Sequence, residues 1–333
     1  MSRRLPVAVD AMGGDEAPDV VVEGAKLAIE RFGVDVLLVG DPQRLGDTGA
    51  IPVLPASEVV AMGAEPASSV RRLKDSSIVR AAEAVRDGIA SSLLSAGNTG
   101  AAMAASLLRM GRIKGVARPA IAVPFPVPGA TPTTVLDCGA NADCQPEWLV
   151  QFAMLGSAYA RARFELAEPR VGILTIGEEA GKGNALVKAA CTLLETTDWA
   201  ERCGARYIGN LEGRDLMTGT ADVVVTDGFT GNVVLKSMEG GYAVLEEMVR
   251  AALRSTEAVA ATASVVDPVL DPIFASVDAK QTGAALLLGT RGVTLISHGS
   301  SSAITIANAI STADQLVDIG IVESLRQSMT PSL

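Results

Sequence analysis

Amides, hydroxyls and cations recur in five glycine-bearing loops of this chain, and together they suit the holding of an oxyanion. The loops are VAVDAMGGDEAPD (Val7 to Asp19), LLSAGNTGA (Leu93 to Ala101), VLDCGANADC (Val135 to Cys144), ILTIGEEAGKGN (Ile173 to Asn184) and VVVTDGFTGN (Val223 to Asn232). They carry Lys182 beside Asn184, Asn98 with Thr99, Asn141 and Asn232, while Arg71, Arg72 and Lys74 precede Ser76 and Ser77. Such donors bind a phosphate or stabilise a developing oxyanion. Taken one at a time, Asn, Gly and Asp are ordinary turn residues. Five repetitions of the pattern point to one shared anionic-ligand site.

Commoner chemistries do not fit. GEEAGKGN has three residues between Gly177 and Gly181 and a glycine after Lys182, whereas a P-loop needs four residues and a hydroxyl. No complete G-x-G-x-x-G follows an expected strand, so a dinucleotide fingerprint is missing. The chain has a single imidazole, His298, and no serine in a G-x-S-x-G elbow, which removes the usual acyl-enzyme arrangements. A lone histidine after a strand is more often packed and hydrogen-bonded than a base. Cys138, Cys144, Cys191 and Cys203 lack C-x-x-C spacing, and with one histidine a zinc site is not indicated. Cys138 reads as a small buried filler rather than a nucleophile, because a thiolate needs a base or a positive field.

The elements that must position these loops are apolar strands followed by helices. Strands are expected at Leu5–Val9, Val34–Val39, Pro52–Leu54, Val171–Ile176 and Gly292–Ile296, and helices at 101–110, 146–163, 185–194 and from Ala303. Strand, helix, strand order with short connections implies a parallel sheet with helices on both faces, and glycine loops at strand ends let backbone N–H groups and helix N-termini approach an anion. Val233 to Leu253 is the longest helical pattern, with Val234, Met238, Tyr242, Leu245, Val249 and Ala252 on one face. The stretch after it contains two Asp-Pro steps and reads as an arm or loop outside the sheet.

Composition agrees with an α/β enzyme. The 333 residues are 48% hydrophobic but only 3% aromatic, so the core must be built from Val, Leu, Ile and Ala. A net charge of -10 argues against a general nucleic-acid binder. Without an apolar run near the roughly 18 residues of a membrane span, and with MSRRLP leading straight into a strand, the expected location is the cytoplasm.

The loops taken together carry a resemblance. VDAMGGDEAPD, RRLKDSS, SAGNTGA, DCGANADC, GEEAGKGN, LEGRD (Leu211 to Asp215), ADVVVTDGFTGNVVLK and HGSS run in order from Val9 to Ser301. In that combination the chain resembles the bacterial acyl-carrier-protein:phosphate acyltransferases, which begin membrane phospholipid synthesis. The resemblance implies a single three-layer α/β/α sandwich with a mostly parallel, Rossmann-like sheet and a helical dimerisation arm at 236–285. It implies transfer of a long-chain acyl group from acyl carrier protein to inorganic phosphate, without metal, nucleotide or other cofactor. It also implies a homodimer whose acyl phosphate product feeds a glycerol-3-phosphate acyltransferase.

Carried over residue by residue, the resemblance makes Lys182 and Asn232 the catalytic residues. Asp10, Gly13, Gly14, Asn98, Thr99, Gly100, Asn141, Glu178, Asn184, Asp227 and His298 form the substrate and phosphate-binding set, with Asp10 and Asp227 orienting donors because they would repel phosphate. Departures lie in QTGAALLLG (Gln281 to Gly289), where relatives usually carry a run like YGGAPLLG, and at Cys138, where an aliphatic residue is commoner.

The residue inventory suits that reaction. Inorganic phosphate is ionised near neutrality, and a thiol with an ordinary pKa of about 8.5 leaves with little assistance, so orientation and oxyanion stabilisation are the remaining tasks. Two other readings stay open: a short-chain phosphate acetyl- or butyryltransferase using coenzyme A, and an adaptor for a membrane surface or carrier protein. The apolar stripe 234–252 fits a dimer interface better than a membrane anchor, since it lacks a Lys/Arg-rich polar face, although the arm near Ala258 to Leu270 suits a peripheral membrane contact. An acidic carrier would meet Arg109, Arg112, Lys114 and Arg118, or Arg71 and Arg72.

Overall fold

Short runs of buried aliphatic residues build the sheet. The computed structural model describes residues 4–256, 260–277 and 283–330. Ala258 of the arm and Gln281 of QTGAALLLG lie outside the described residues. Eleven strands form one sheet: β1 (Val7–Asp10), β2 (Val36–Gly40), β3 (Val53–Pro55), β4 (Ser92–Ser95), β5 (Ala120–Phe125), β6 (Thr133–Leu136), β7 (Arg170–Leu174), β8 (Arg206–Leu211), β9 (Val223–Val225), β10 (Ala285–Leu288) and β11 (Val293–Ile296). Their order is β3-β2-β1-β4-β11-β10-β5-β6-β9-β7-β8. Strands buried on both faces read as continuous apolar runs, and β1, β2, β4 and β11 are buried at every position.

The pairings refine the expectation of a mostly parallel sheet. β3, β2, β1, β4 and β11 are mutually parallel, as are β6, β9, β7 and β8. Between these groups β10 is antiparallel to β11 and β5, and β5 is antiparallel to β6. The two parallel groups therefore run in opposite senses. Their carboxyl ends lie at opposite ends of the central strip β10–β5: Ile296 is paired with Ala285 at one end, while Cys138 donates its N–H to the Ile121 carbonyl at the other.

Helices cover both faces, as a three-layer sandwich requires. Those named below are α1 (Asp19–Phe32), α2 (Pro66–Arg72), α3 (Ser77–Arg86), α4 (Thr99–Ala105), α5 (Pro146–Phe164), α6 (Ala185–Thr196), α7 (Trp199–Cys203), α8 (Gly228–Leu253), α9 (Ala263–Val277), α10 (Ala303–Asp318) and α11 (Ile321–Met329). α1 ends where Gly33 adopts φ 67° and returns its N–H to Ile29. α5 opens on Pro146 and is buried almost all round from Leu149 to Ala160, so it serves as a core helix. The fully buried aromatics Phe125 and Phe152 stand among leucines and isoleucines, matching the aliphatic core read from composition.

Of the two readings of the region after the long helix, an arm or a loop, its helical form fits the arm. Residues 263–277 form α9, with Pro268 and Pro272 inside it. Arg250 of α8 donates to Asp271 at 2.8 Å and stacks over Phe274, so tertiary partners hold the two Asp-Pro steps in helical form. The expected burial of the α8 stripe is only partial, since its Leu245 is 53% exposed; beside the stripe Met248 is 65% exposed, and Val265 and Val269 of α9 are 72% and 64% exposed. β5, β8 and β10 have no expected counterpart from the sequence pattern. Among the described residues, no helix is long and apolar enough to cross a membrane.

Candidate active site

A cavity of about 490 Å³ lies on the face of the central antiparallel strip, with Ile121, Val123 and Ala285 in its floor. The loops after β4 and β11 wall one end, and the loop after β6 with the start of α8 walls the other. Helix α8 then crosses between them. The opposed directions of the two parallel groups make this possible, because each brings its glycine loops to its own end of the strip.

At the first wall, carboxylate and amide side chains are spent on fixing backbone. Asp10 ends β1, is buried, and accepts hydrogen bonds from Ser95 Oγ at 2.8 Å and the Met12 N–H at 3.3 Å. Burial pushes its carboxyl above the usual range, against hydrogen bonds from Ser77 and Ser95. A Cβ on Gly13 would fall 2.7 Å from Asp10 Oδ2 and 2.8 Å from the Gly97 nitrogen, so the loops after β1 and β4 touch only because that residue is glycine. Gly14 follows at φ 131°. Asn98 caps α4 by accepting from the Ala101 N–H at 2.9 Å, and its Nδ2 donates to the Met62 carbonyl at 2.6 Å. Gly100 packs against Pro66 of α2. Of this set Thr99 lines the cavity, beside Gly97; Asp10, Gly13, Gly14, Asn98 and Gly100 stand behind the wall.

The second wall is organised by a residue that pattern reading missed, Asp137. It is fully buried, and its Oδ1 accepts from the N–H groups of Ile121, Gly139 and Ala140 at 2.9–3.1 Å. Its Oδ2 accepts from the Asn141 N–H at 2.7 Å and from Asn141 Nδ2 at 2.8 Å. Burial raises this carboxyl, and those donors work in the opposite direction. Asn141 also donates to the Pro119 carbonyl and accepts from the Gly228 N–H through its own carbonyl, so its side chain is committed to the loop. Asp227 caps α8, accepting from the Thr230 N–H and Oγ1, each at 2.8 Å. That cap starts the helix at Gly228, five residues before the expected helical pattern at Val233. Asn232 sits in its second turn, lines the cavity beside Gly139, and its amide has no hydrogen-bond partner among the described residues. Cys138 and Cys144 are poor nucleophiles here: burial pushes the Cys138 thiol well up and that of Cys144 to about 12.

Where α8 crosses the cavity it carries Lys236 and Glu239, which were also missed. Lys236 Nζ lies 2.7 Å from His298 Nε2 and donates to Glu239 Oε2 at 2.8 Å. Partial burial opposes ionisation of Glu239, but hydrogen bonds and charge from His298 and Lys236 prevail and bring its pKa to about 2. The signal lay in spacing: Asn232, Lys236 and Glu239 stand four and three residues apart, one face of a helix.

Lys182 occupies a neighbouring loop. β7 pairs in parallel with β9, which places the loop 175–184 beside the start of α8, yet Lys182, Glu178 and Asn184 do not line the cavity. Lys182 is half exposed and lies 3.9 Å from Glu179; Glu178 accepts from Arg214 at 2.9 Å. Asn184 caps α6 through the Val187 N–H.

The α/β sandwich built on this mixed sheet is a fold shared with solved phosphotransacylases. A solved phosphotransacetylase from Staphylococcus aureus superposes with a TM-score of 0.60 over 94% of both chains at 16% identity, a likeness of fold alone. The sequence goes further. The family described as "Fatty acid synthesis protein" matches residues 5–324. A phosphate acyltransferase of Thermus thermophilus is 47% identical over 331 residues, covering 98% of this chain and 99% of its own, and one of Pelotomaculum thermopropionicum is 43% identical over 332 residues, covering 98% and 95%. The chain belongs to the phosphate acyltransferase family, and it is an acyltransferase.

Proposed function

We propose that this protein transfers a long-chain acyl group from acyl carrier protein to inorganic phosphate, giving acyl phosphate for membrane phospholipid synthesis. A phosphate oxygen attacks the thioester carbonyl carbon, the carbon–sulfur bond breaks, and the proton of hydrogen phosphate ends on the departing thiol. The supporting observation is a cavity that joins the free amide of Asn232 and the ammonium of Lys236 to an aliphatic floor of Ile121, Val123 and Ile296, with both neighbouring thiols held in the neutral form. Direct attack needs those donors and no acyl-enzyme. Asn232 stabilises the oxyanion, and Lys182 reaches in from the adjoining loop, where its weak tether to Glu179 leaves it free to turn. Asp10, Asp137, Asn141 and Asp227 hold the walls.

The exposed apolar residues of α8 and α9 favour a second copy of the chain as the partner of this arm, and a cytoplasmic dimer touching the membrane surface peripherally would hand its product to a glycerol-3-phosphate acyltransferase. Incubation of pure protein and phosphate with acyl carrier protein thioesters of several lengths, and in parallel with acetyl- and butyryl-coenzyme A, tests the reading. Acyl phosphate is expected chiefly from the long-chain carrier thioesters. Faster turnover of the short coenzyme A esters would replace this reading with the short-chain one, and no acyl phosphate from any donor would leave an adaptor.

A further inference from the structure

We propose that Lys236 is a phosphate-holding residue of this cavity, and that Glu239 and His298 are positioning residues that aim its ammonium. The proposal rests on the phosphate acyltransferase reading. Among the described residues that line the cavity, Lys236 is the one lysine or arginine. The other polar side chains of the walls are largely spoken for: Asn98 by the Met62 carbonyl, Asn141 by Asp137, and Ser297 by the Gly283 carbonyl and Ser301. Lys236 follows Asn232 by four residues on α8, so the free amide and the ammonium share one face of the helix.

The ammonium's environment defines its orientation. Ammonium has three donors and no acceptor, so in the 2.7 Å contact the neutral ring of His298 accepts at Nε2 with its proton on Nδ1, whereas the protonated ring turns its Nε2–H and charge to Glu239. Glu239 takes the second hydrogen at 2.8 Å. His298 Nε2 to Glu239 Oε1 is longer, 3.5 Å, and yields to the contact with lysine because Nε2 cannot accept from one and donate to the other at once. The third hydrogen is left for a ligand. Lys236 and Glu239 cancel in charge, and the N-terminal ends of α8 and α10, which open at the cavity through Gly228 and Ser301, supply the remaining positive potential for an incoming dianion. Lys182 would then approach the phosphate from its loop and Lys236 from α8.

The test combines steady-state kinetics with calorimetric titration of inorganic phosphate into the free protein. Lys236→Ala is expected to raise the phosphate KM by about ten-fold or more, as befits loss of a charge-assisted contact, with the KM for the acyl carrier thioester unchanged. Lys236→Arg should restore part of the loss. Glu239→Gln and His298→Ala should raise the phosphate KM by a smaller factor and leave the thioester KM alone, a split that a general packing defect would not produce. A folded Lys236→Ala variant with wild-type phosphate KM and wild-type titration overturns the proposal while the acyltransferase reading survives. Wild-type protein that binds phosphate through Lys236 yet forms no acyl phosphate overturns that reading and leaves the site. Where titration of the free protein gives too little heat, the kinetic constant decides.

Discussion

The joined loops after β6 and β9 and the loop after β7 sit at the ends of neighbouring parallel strands, yet they are built differently. At the first, the buried Asp137 carboxylate collects five donors and Asp227 caps α8, so Asn232 rests on a foundation with little freedom to move. At the second, Lys182 is 49% exposed, its partner Glu179 is 73% exposed, and Arg214 and Glu178 meet at the surface. Buried, fully satisfied polar networks are rigid, whereas exposed ion pairs cost little to break. Under the proposed function, a site that holds an oxyanion still and also admits a bulky thioester gains from having one loop of each kind.

That contrast is challenged most severely at Asp137. Asp137→Ala removes the acceptor of four backbone N–H groups and of Asn141, in a place water does not reach. The expected loss of unfolding free energy is about 3–5 kcal/mol, with the cavity wall and turnover lost together. Urea denaturation checks it. Wild-type stability in the variant would mean that the second wall is not rigid after all.

Next in size are the two proposed catalytic residues. Asn232→Ala and Lys182→Ala should each lower turnover by roughly a hundred- to a thousand-fold, the scale of removing one oxyanion donor, without moving the unfolding midpoint. The double variant should lose less than the product of the two if both act on one transition state. Near-normal rates in folded Lys182→Ala at saturating substrates would make the β7 loop a bystander and sharpen its difference from the wall built on Asp137.

Much of this arrangement was legible in the residues. Glycine loops after apolar runs located both walls, while Asn98, Asn184 and Asp227, read there as substrate-binding residues, cap helices in the structure, a role the sequence reading did not assign them. What escaped was tertiary. Asp137 looks like any turn aspartate until the Ile121 strand lies beside it. Lys236 and Glu239 sit in a stripe read for its apolar side, and their meeting with His298 depends on α8 crossing from one wall to the other, 62 residues apart in sequence. The antiparallel centre escaped because β5 and β10 are short apolar segments that periodicity alone does not distinguish from buried helix. The same limit explains α9, whose prolines read as breaks until Arg250 is placed against Asp267 and Asp271.

A pH series probes the crossing helix. The Glu239 carboxyl is held at about 2 against an ordinary 4.5, so the unfolded chain binds the extra proton in between. Its contribution to stability is present above pH 4.5 and fades as the pH falls toward 2. Glu239→Gln should therefore be less stable than wild type at neutral pH by on the order of 2 kcal/mol, discounted for partial exposure, and the gap should close on acidification. Melting curves across that range measure it, and a gap that does not change with pH would remove the salt-linked anchor from the picture of α8.

The smallest effect is expected at Arg214, and it is informative for that reason. Its guanidinium donates to Glu178 at 2.9 Å and lies 3.1 Å from Glu212, but it is 68% exposed, and exposed pairs are screened by salt. Arg214→Ala should shift the melting temperature by no more than about 1–2 °C, since a pair of this kind contributes little to a chain of this size. If the β7 loop works by being loosely held, turnover should stay within about twofold of wild type, and added salt should narrow even that difference. A fall comparable to that of Lys182→Ala, at unchanged stability, would instead mean that the Glu178–Arg214 pair fixes the loop in a working position. The β7 loop would then be as preorganised as the wall built on Asp137, with surface charges doing there what a buried carboxylate does next door.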